Sequence, residues 1–286
     1  MSLFFQQLLN GLTLGSVYSL VALGLTLVYG VMQIPNFAHG HLYMVGAYVT
    51  FFMITLYGFH YWPAILVSVA VLCILGVAVE RLVFHPLRNA PHVNAMIAAV
   101  GLMLFLEATV RVIWGSDFRR MPTPYDNVFN IFGLTVTGQR LMIIVAAVVL
   151  MVGLHLFLKK TIIGSTIEAM AQDRDGAYLV GINANKVAML TFAIASGLAA
   201  VAASLAAPIN LVNPTMGIMV NLKAFVIIVL GGMGSIPGAI LGGYLLGLAE
   251  SIGGTYLATD YKDVIAFLFL VIILSIRPNG LFSKGV

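Results

Sequence analysis

Charge is what this chain has least of. Lys and Arg number 14 and Asp and Glu 10 in 286 residues, a charged fraction of 8%, where a soluble globular domain carries about a quarter. So few charges cannot clothe a water-facing surface of ordinary size, and this excludes a soluble domain. Cysteine is nearly absent as well. The single Cys73, in "AILVSVAVLCILGVAV", excludes an internal disulfide and a cysteine-based metal cage, and reads as a small apolar side chain. No G-x-x-x-x-G-K-[ST] occurs, so the chain brings no P-loop of its own to ATP. H-E-x-x-H and any convincing Ser/His or paired-Asp constellation are missing too, which argues against an intramembrane enzyme. The net charge of +4 is spread over loops rather than gathered into the stripe a nucleic-acid binder needs. The opening "MSLFFQQLLN" has no basic n-region and no A-x-A site follows, so the first apolar run is expected to be retained rather than cleaved.

What is abundant is hydrophobicity, 61% of residues. Most apolar runs are about 18 to 24 residues long, enough to cross a hydrocarbon layer of roughly 30 Å as a helix. They lack the alternation of barrel strands, and in lipid the backbone must satisfy its own hydrogen bonds. The expected fold is all-α: a polytopic membrane protein with about 8–9 transmembrane helices, some broken or re-entrant, in one domain over 1–286. Spans are expected at 8–31, 38–57, 62–82, 94–114, 141–158, 187–207, 219–232, 236–251 and 263–277. The seventh is short and could join the eighth as one broken element. Arg81 and Arg88, then Lys159, Lys160, Arg174 and Lys186, then Arg277 and Lys284 fall on one side with nine crossings. The positive-inside rule makes that side cytoplasmic and the N-terminus external. Arg119, Arg120 and Arg140 stand against it on the outer side, partly offset by Asp117 and Asp126.

Four features carry candidate chemistry. In "QIPNFAHGHLYMVGAY", Pro35 removes a donor and disfavours helix at Ile34, and Asn36 is placed to cap a helix restarting near Ala38. This is either a tight interfacial turn or a break lining a polar cavity, bringing His39 and His41 with it; two residues apart, they lie on different helix faces, which argues against a metal site. "LGGMGSIPGAILGGYLLG", around Gly234, repeats the pattern of apolar run, Gly/Pro break and apolar run that marks transport routes. Its glycines at four-residue spacing equally serve close helix packing. Glu107 and Arg111 are i,i+4 partners, while Lys223 and Glu250 are intramembrane charges near span ends, read as ion pairs, anchors or functional groups. Finally, "GSTIEAMAQDRDGAYLVGINANKV" reads as a compact cytoplasmic helix–turn–helix at 164–186. Ser165 and Glu168 suit a capping box, Asp175 a second cap, Gly181 a stop and Asn183 the cap of the next span. Too short to fold alone, it needs a protein to dock on, unless it is an ordinary amphipathic interfacial loop.

At this segment the chain resembles the permease subunits of ATP-binding-cassette importers, and it is most similar to the branched-chain amino-acid family of LivH type. The likeness rests on "GLTLGSVYSLVALGLTLVYGVMQIPNFAHG", "ERLVFHPLR", "AMAQDRDGAYLVGIN", "LTFAIASGLAAVAASL", "LKAFVIIVLGGMGSIPGAILGGYLLGLAE", "YKDV" and "RPNGLF". It implies a bacterial inner-membrane subunit that moves branched-chain or related amino acids inward. Its implied partners are a LivM-type permease, two ATPases that hold ATP and Mg, and an extracytoplasmic solute-binding protein; it implies no cofactor on this chain. Glu168, Ala169, Asp173, Arg174, Asp175, Gly176 and Gly181 would form the ATPase-coupling segment. Pro35, Asn36, His39, His41, Asn210, Asn213 and Gly234 would line the translocation path between the two permeases. Typical members read Asn-Phe-Ala-His-Gly-Glu, and here His41 stands in place of that Glu. A stand-alone ion- or proton-coupled carrier is the alternative, with Glu107, His39 and Glu250 as its titrating groups.

Overall fold

The computed structural model describes residues 2–131, 134–256, 262–276 and 280–282. Arg277 and Lys284, which entered the orientation argument, lie outside the described residues, as does the last residue of the ninth expected span. The chain is mostly helical: α1 (Ser2–Met32), α2 (His39–Thr55), α3 (Tyr61–Val79), α4 (His92–Trp114), α5 (Gly138–Lys160), α6 (Ile162–Gln172), α7 (Arg174–Leu179), α8 (Ala184–Ala206), α9 (Met216–Gly231), α10 (Ile236–Tyr256) and α11 (Lys262–Ile276). Among the described residues six of these, α3 with its extension included, are long and apolar enough to cross a membrane. α2, α9 and α11 have 17, 16 and 15 residues, which at 1.5 Å per residue is about 22–26 Å and short of a full hydrocarbon layer. The seventh and eighth expected spans are separate helices, α9 and α10, joined by a turn in which Gly232 and Gly234 take positive φ of 95° and 85°.

Two features depart from the expected pattern. α3 does not end in a loop at Arg81: it continues through a π-helical turn, Glu80–Phe84, and a 3-10 turn, His85–Leu87. Pro86, which cannot donate to a helix, sits where regular structure gives out. The segment between α4 and α5 contains an antiparallel hairpin, β1 (Val128–Ile131) and β2 (Leu134–Thr137), with Val128 opposite Thr137. Its β-branched and aromatic residues favour strands; the helical reading of the sequence missed it.

Packing follows residue size. Without a hydrophobic drive between helices inside lipid, van der Waals contact between small residues holds them together. α1 is the central helix. Gly11 and Gly15 press against Leu248 and Tyr244 of α10, and a Cβ on Gly247 would lie 2.4 Å from the Gly15 nitrogen. α8, rich in Ala, Ser and Gly, fits between α1, α2 and α3: a Cβ on Gly46 would stand 2.8 Å from the Ala200 Cα, and one on Gly76 2.7 Å from the Phe192 carbonyl. Polar bonds tie α2, α3, α5 and α8. Thr50 and Ser204 hydroxyls are 2.6 Å apart, Tyr61 donates to the Ser204 carbonyl at 3.0 Å, and Gln139 donates to Tyr61 at 3.1 Å. α1 and α8 are thereby buried, while α3, α4 and α5 turn most of their apolar surface outward.

Candidate functional site

The break after α1 starts one residue earlier than Pro35 alone would dictate. Gln33 takes φ 54°, outside glycine the one positive φ among the described residues, and ends the helix in the left-handed turn that often closes helices. The chain then folds back inside the protein: Asn36, His39, Gly40 and His41 are all buried. Asn36 does not cap α2. Its Oδ1 accepts from the Ala38 nitrogen at 3.0 Å, a local turn two residues on, and Ala38 itself occupies the cap position without a side-chain bond. His39 N–H, the first backbone donor of α2, reaches the Asn36 carbonyl at 3.3 Å, and the next, Gly40 N–H, finds another helix, donating to Asn221 Oδ1 at 3.1 Å. A Cβ on Gly40 would lie 2.1 Å from the Gly217 carbonyl. The N-terminal turns of α2 and α9 therefore meet backbone to backbone, and only glycine permits it. His39 Nε2–H donates to the Val21 carbonyl at 3.1 Å, and His41 Nε2–H donates to Glu107 at 3.2 Å. Arg111 holds the other oxygen of Glu107 at 2.5 Å, so the expected i,i+4 pair exists and His41 extends it into the interior.

Lys223 and Glu250, expected as intramembrane charges, are partners. Lys223 Nζ lies 3.0 Å from Glu250 Oε2 and 3.1 Å from Asp263 Oδ1, and the Tyr18 hydroxyl donates to Glu250 at 2.8 Å. One cation thus joins α1, α9, α10 and α11. Nothing in the sequence announces that Tyr18 and Asp263 belong to this node, because pairing across helices depends on tertiary packing. A second buried pair, Arg88 with Glu80 at 2.5 Å, sits on the π-turn, and Arg88 also donates to Asn185 at the start of α8.

The segment after α5 is a helix–turn–helix, but its caps differ from those expected. α6 begins at Ile162 with Thr161 as its cap, accepting from the Gly164 nitrogen at 3.0 Å. Ser165 is therefore inside the helix, bonded to the Ile162 carbonyl, and no capping box with Glu168 forms. Glu168 pairs with Lys159 at 3.0 Å instead. The second cap is Asp173, not Asp175: its Oδ1 accepts from Asp175 and Gly176 at 3.1 and 3.0 Å. Gly181 ends α7 at φ 84°, and Asn183 caps α8 as expected. Ala171 faces Gly30 of α1 and Ala177 is buried, so these alanines seat the segment on the rest of the chain. An apolar cluster stands outward beside exposed Asp173 and Asp175: Leu179 is 90% exposed and Val180 77%, next to Tyr178.

The seven residues assigned to a path do not converge. Pro35 and Asn36 lie in the fold-back, while at the start of α2 His39 turns to Val21 of α1 and His41 to Glu107 of α4. Gly234 is in the α9–α10 turn, beside Thr26 and Glu168. Asn213 folds its side chain onto Thr215. Asn210 lines a polar cleft of about 480 Å³ bounded by Arg120, Asp126, Arg140, Ile209 and Leu211, which none of the other six lines. A smaller pocket sharing Arg140 and Asn210 extends that cleft to Asn10 on α1 and Ser251 on α10.

Three comparisons bear on what this architecture is for. Residues 7–274 match the family model described as branched-chain amino acid transport system / permease component. The chain is 39% identical to the high-affinity branched-chain amino acid transport system permease protein BraD of Pseudomonas aeruginosa, covering 98% of this chain and 96% of that one. It is 36% identical, with the same coverage, to the corresponding permease protein LivH of Escherichia coli K12. Among solved structures it is similar to PsaBC from Streptococcus pneumoniae in complex with Fab. The TM-score is 0.53 and the identity 13%, over 96% of this chain and 93% of that one, a likeness of fold alone.

Proposed function

The chain belongs to the branched-chain amino acid transport permease family, and from that premise we propose how it works within such an importer. It is a permease component of an ATP-binding-cassette system for branched-chain amino acids, a multi-pass membrane protein rather than an enzyme. Nine helices, α1–α5 and α8–α11, cross or enter the membrane. The N-terminus is outside, α6 and α7 are cytoplasmic, and the short α2 and α9 meet inside. A related LivM-type permease completes the path, an extracytoplasmic binding protein delivers substrate, and two partner subunits bind ATP and Mg and hydrolyse the nucleotide.

The observation that carries this reading is the outward apolar face of α7. Tyr178, Leu179 and Val180 stand exposed on a short helix braced by Asp173 and Gly181, beside the charged Arg174 and Asp175. Exposed apolar clusters rimmed by polar residues mark interaction sites, and an ATPase groove would cover this one. Behind it, α6 packs on Gly30 near the end of α1, so movement of the knob reaches the Gln33–His41 break directly. A ligand-driven switch requires different contacts in two states, and closure of the ATPase pair on nucleotide supplies them.

The test is leucine uptake by proteoliposomes containing both permeases and both ATPases. Uptake is expected only with ATP inside the coupled system and with the binding protein present. Transport by this chain alone, driven by a proton or sodium gradient, would establish the carrier reading instead.

A further inference from the structure

The polar cleft around Asn210 has a composition that its surroundings do not require. Arg120 and Asp126 are both exposed and, among the described residues, neither makes an ion pair or a hydrogen bond, while Arg140 is steadied by Asn10. Two guanidinium groups and one carboxylate thus share one cleft with an apolar wall from Ile209 and Leu211. Its volume, about 480 Å³, falls in the range of small-molecule sites, roughly 300–1,000 Å³. Other cations of this region are already engaged: Arg119 donates to the Trp114 carbonyl and lies over the Phe51 and Phe52 rings.

We propose that this cleft is an entry site on the permease for a zwitterionic α-amino acid with an apolar side chain. The guanidinium groups of Arg120 and Arg140 receive the carboxylate, Asp126 receives the ammonium, and Ile209 and Leu211 face the side chain. Arginine suits the first role because its planar fork can meet both carboxylate oxygens. Asn210 offers a further donor and acceptor at the mouth of the extension toward Asn10 and Ser251, which leads along the α1–α10 seam. The inference rests on the transport reading above and adds to it a contact with free substrate that does not depend on the binding protein.

Equilibrium binding of radiolabelled leucine to the purified permease–ATPase assembly, with no binding protein present, tests this. Saturable binding is expected in the wild type. Arg120→Gln and Asp126→Asn should each weaken it about tenfold or more, the effect of losing one charge-assisted contact. Leucinamide, which has no carboxylate, and 4-methylpentanoate, which has no ammonium, should compete poorly. Absence of saturable binding, or binding untouched by both substitutions, overturns the proposal. If, in a parallel pull-down with the binding protein added, the substitutions weaken only its capture and leave leucine binding unchanged, the cleft is a protein-docking face, and the proposal fails equally. ATP-driven uptake by the wild-type system, measured alongside, separates these outcomes from failure of the transport reading, since that reading survives them if uptake is present.

Discussion

Replacing Lys223 by methionine keeps the length of the side chain and removes the cation from the four-helix node. Glu250, only 2% exposed, would keep a single partner, the Tyr18 hydroxyl, for Oε2; its Oε1 has no hydrogen-bond partner in the wild type. Breaking a buried pair from one side leaves an uncompensated charge and costs about 3–5 kcal/mol. The Lys223–Asp263 contact adds little, because Asp263 is 46% exposed and exposed pairs contribute about 0–1 kcal/mol. Lys223→Met should therefore destabilise the chain by about 3–5 kcal/mol. The double variant Lys223→Met/Glu250→Gln, with both charges gone, should recover about 2 kcal/mol of that. Denaturant titration in lipid–detergent micelles, followed by the fluorescence of Trp62 and Trp114, measures both. A single variant within about 1 kcal/mol of wild type, the loss expected for an exposed pair, or a double variant no better than the single, would refute the claim that this node is a buried, mutually dependent pair.

Gly40→Ala should abolish the monodisperse folded fraction on size-exclusion chromatography, because its Cβ meets the Gly217 backbone, whereas Gly153→Ala, with nothing within 4 Å, should leave it unchanged. Asp173→Ala should loosen α7 by about 1 kcal/mol, the usual worth of a helix cap, and show as reduced leucine uptake per ATP hydrolysed in the reconstituted system. Asn36→Leu and His39→Leu, in variants that still assemble, should each lower uptake; wild-type rates in both would remove the break from the mechanism.

Much of this was open to reading from single-helix patterns. Each of the nine apolar runs falls on a helix, Asn183 caps α8, and Glu107 pairs with Arg111, because run length, capping chemistry and i,i+4 spacing are local properties. The fold-back at Gln33–Ala38 was also signalled, by Pro35, although the residue that turns the chain is Gln33. Where two local solutions compete, the sequence alone does not decide: Asp173 and Asp175 can each cap α7, and Thr161 displaces Ser165 because α6 starts four residues sooner. Relations between helices were not legible at all. Lys223 finds Glu250, and Gly40 finds Asn221, through packing that no periodicity encodes. Asn210 was grouped with Asn36 on chemistry alone, and the fold separates them.

The central claim is that α7 faces the cytoplasm and is covered by an ATPase. A Leu179→Cys substitution in a Cys73→Ala background gives one reactive thiol at a 90%-exposed residue of that helix. A membrane-impermeant maleimide should label it in inside-out vesicles, and binding of the ATPase pair should block the labelling. Labelling from the external side of intact cells, or labelling of inside-out vesicles indifferent to the ATPases, would contradict the account.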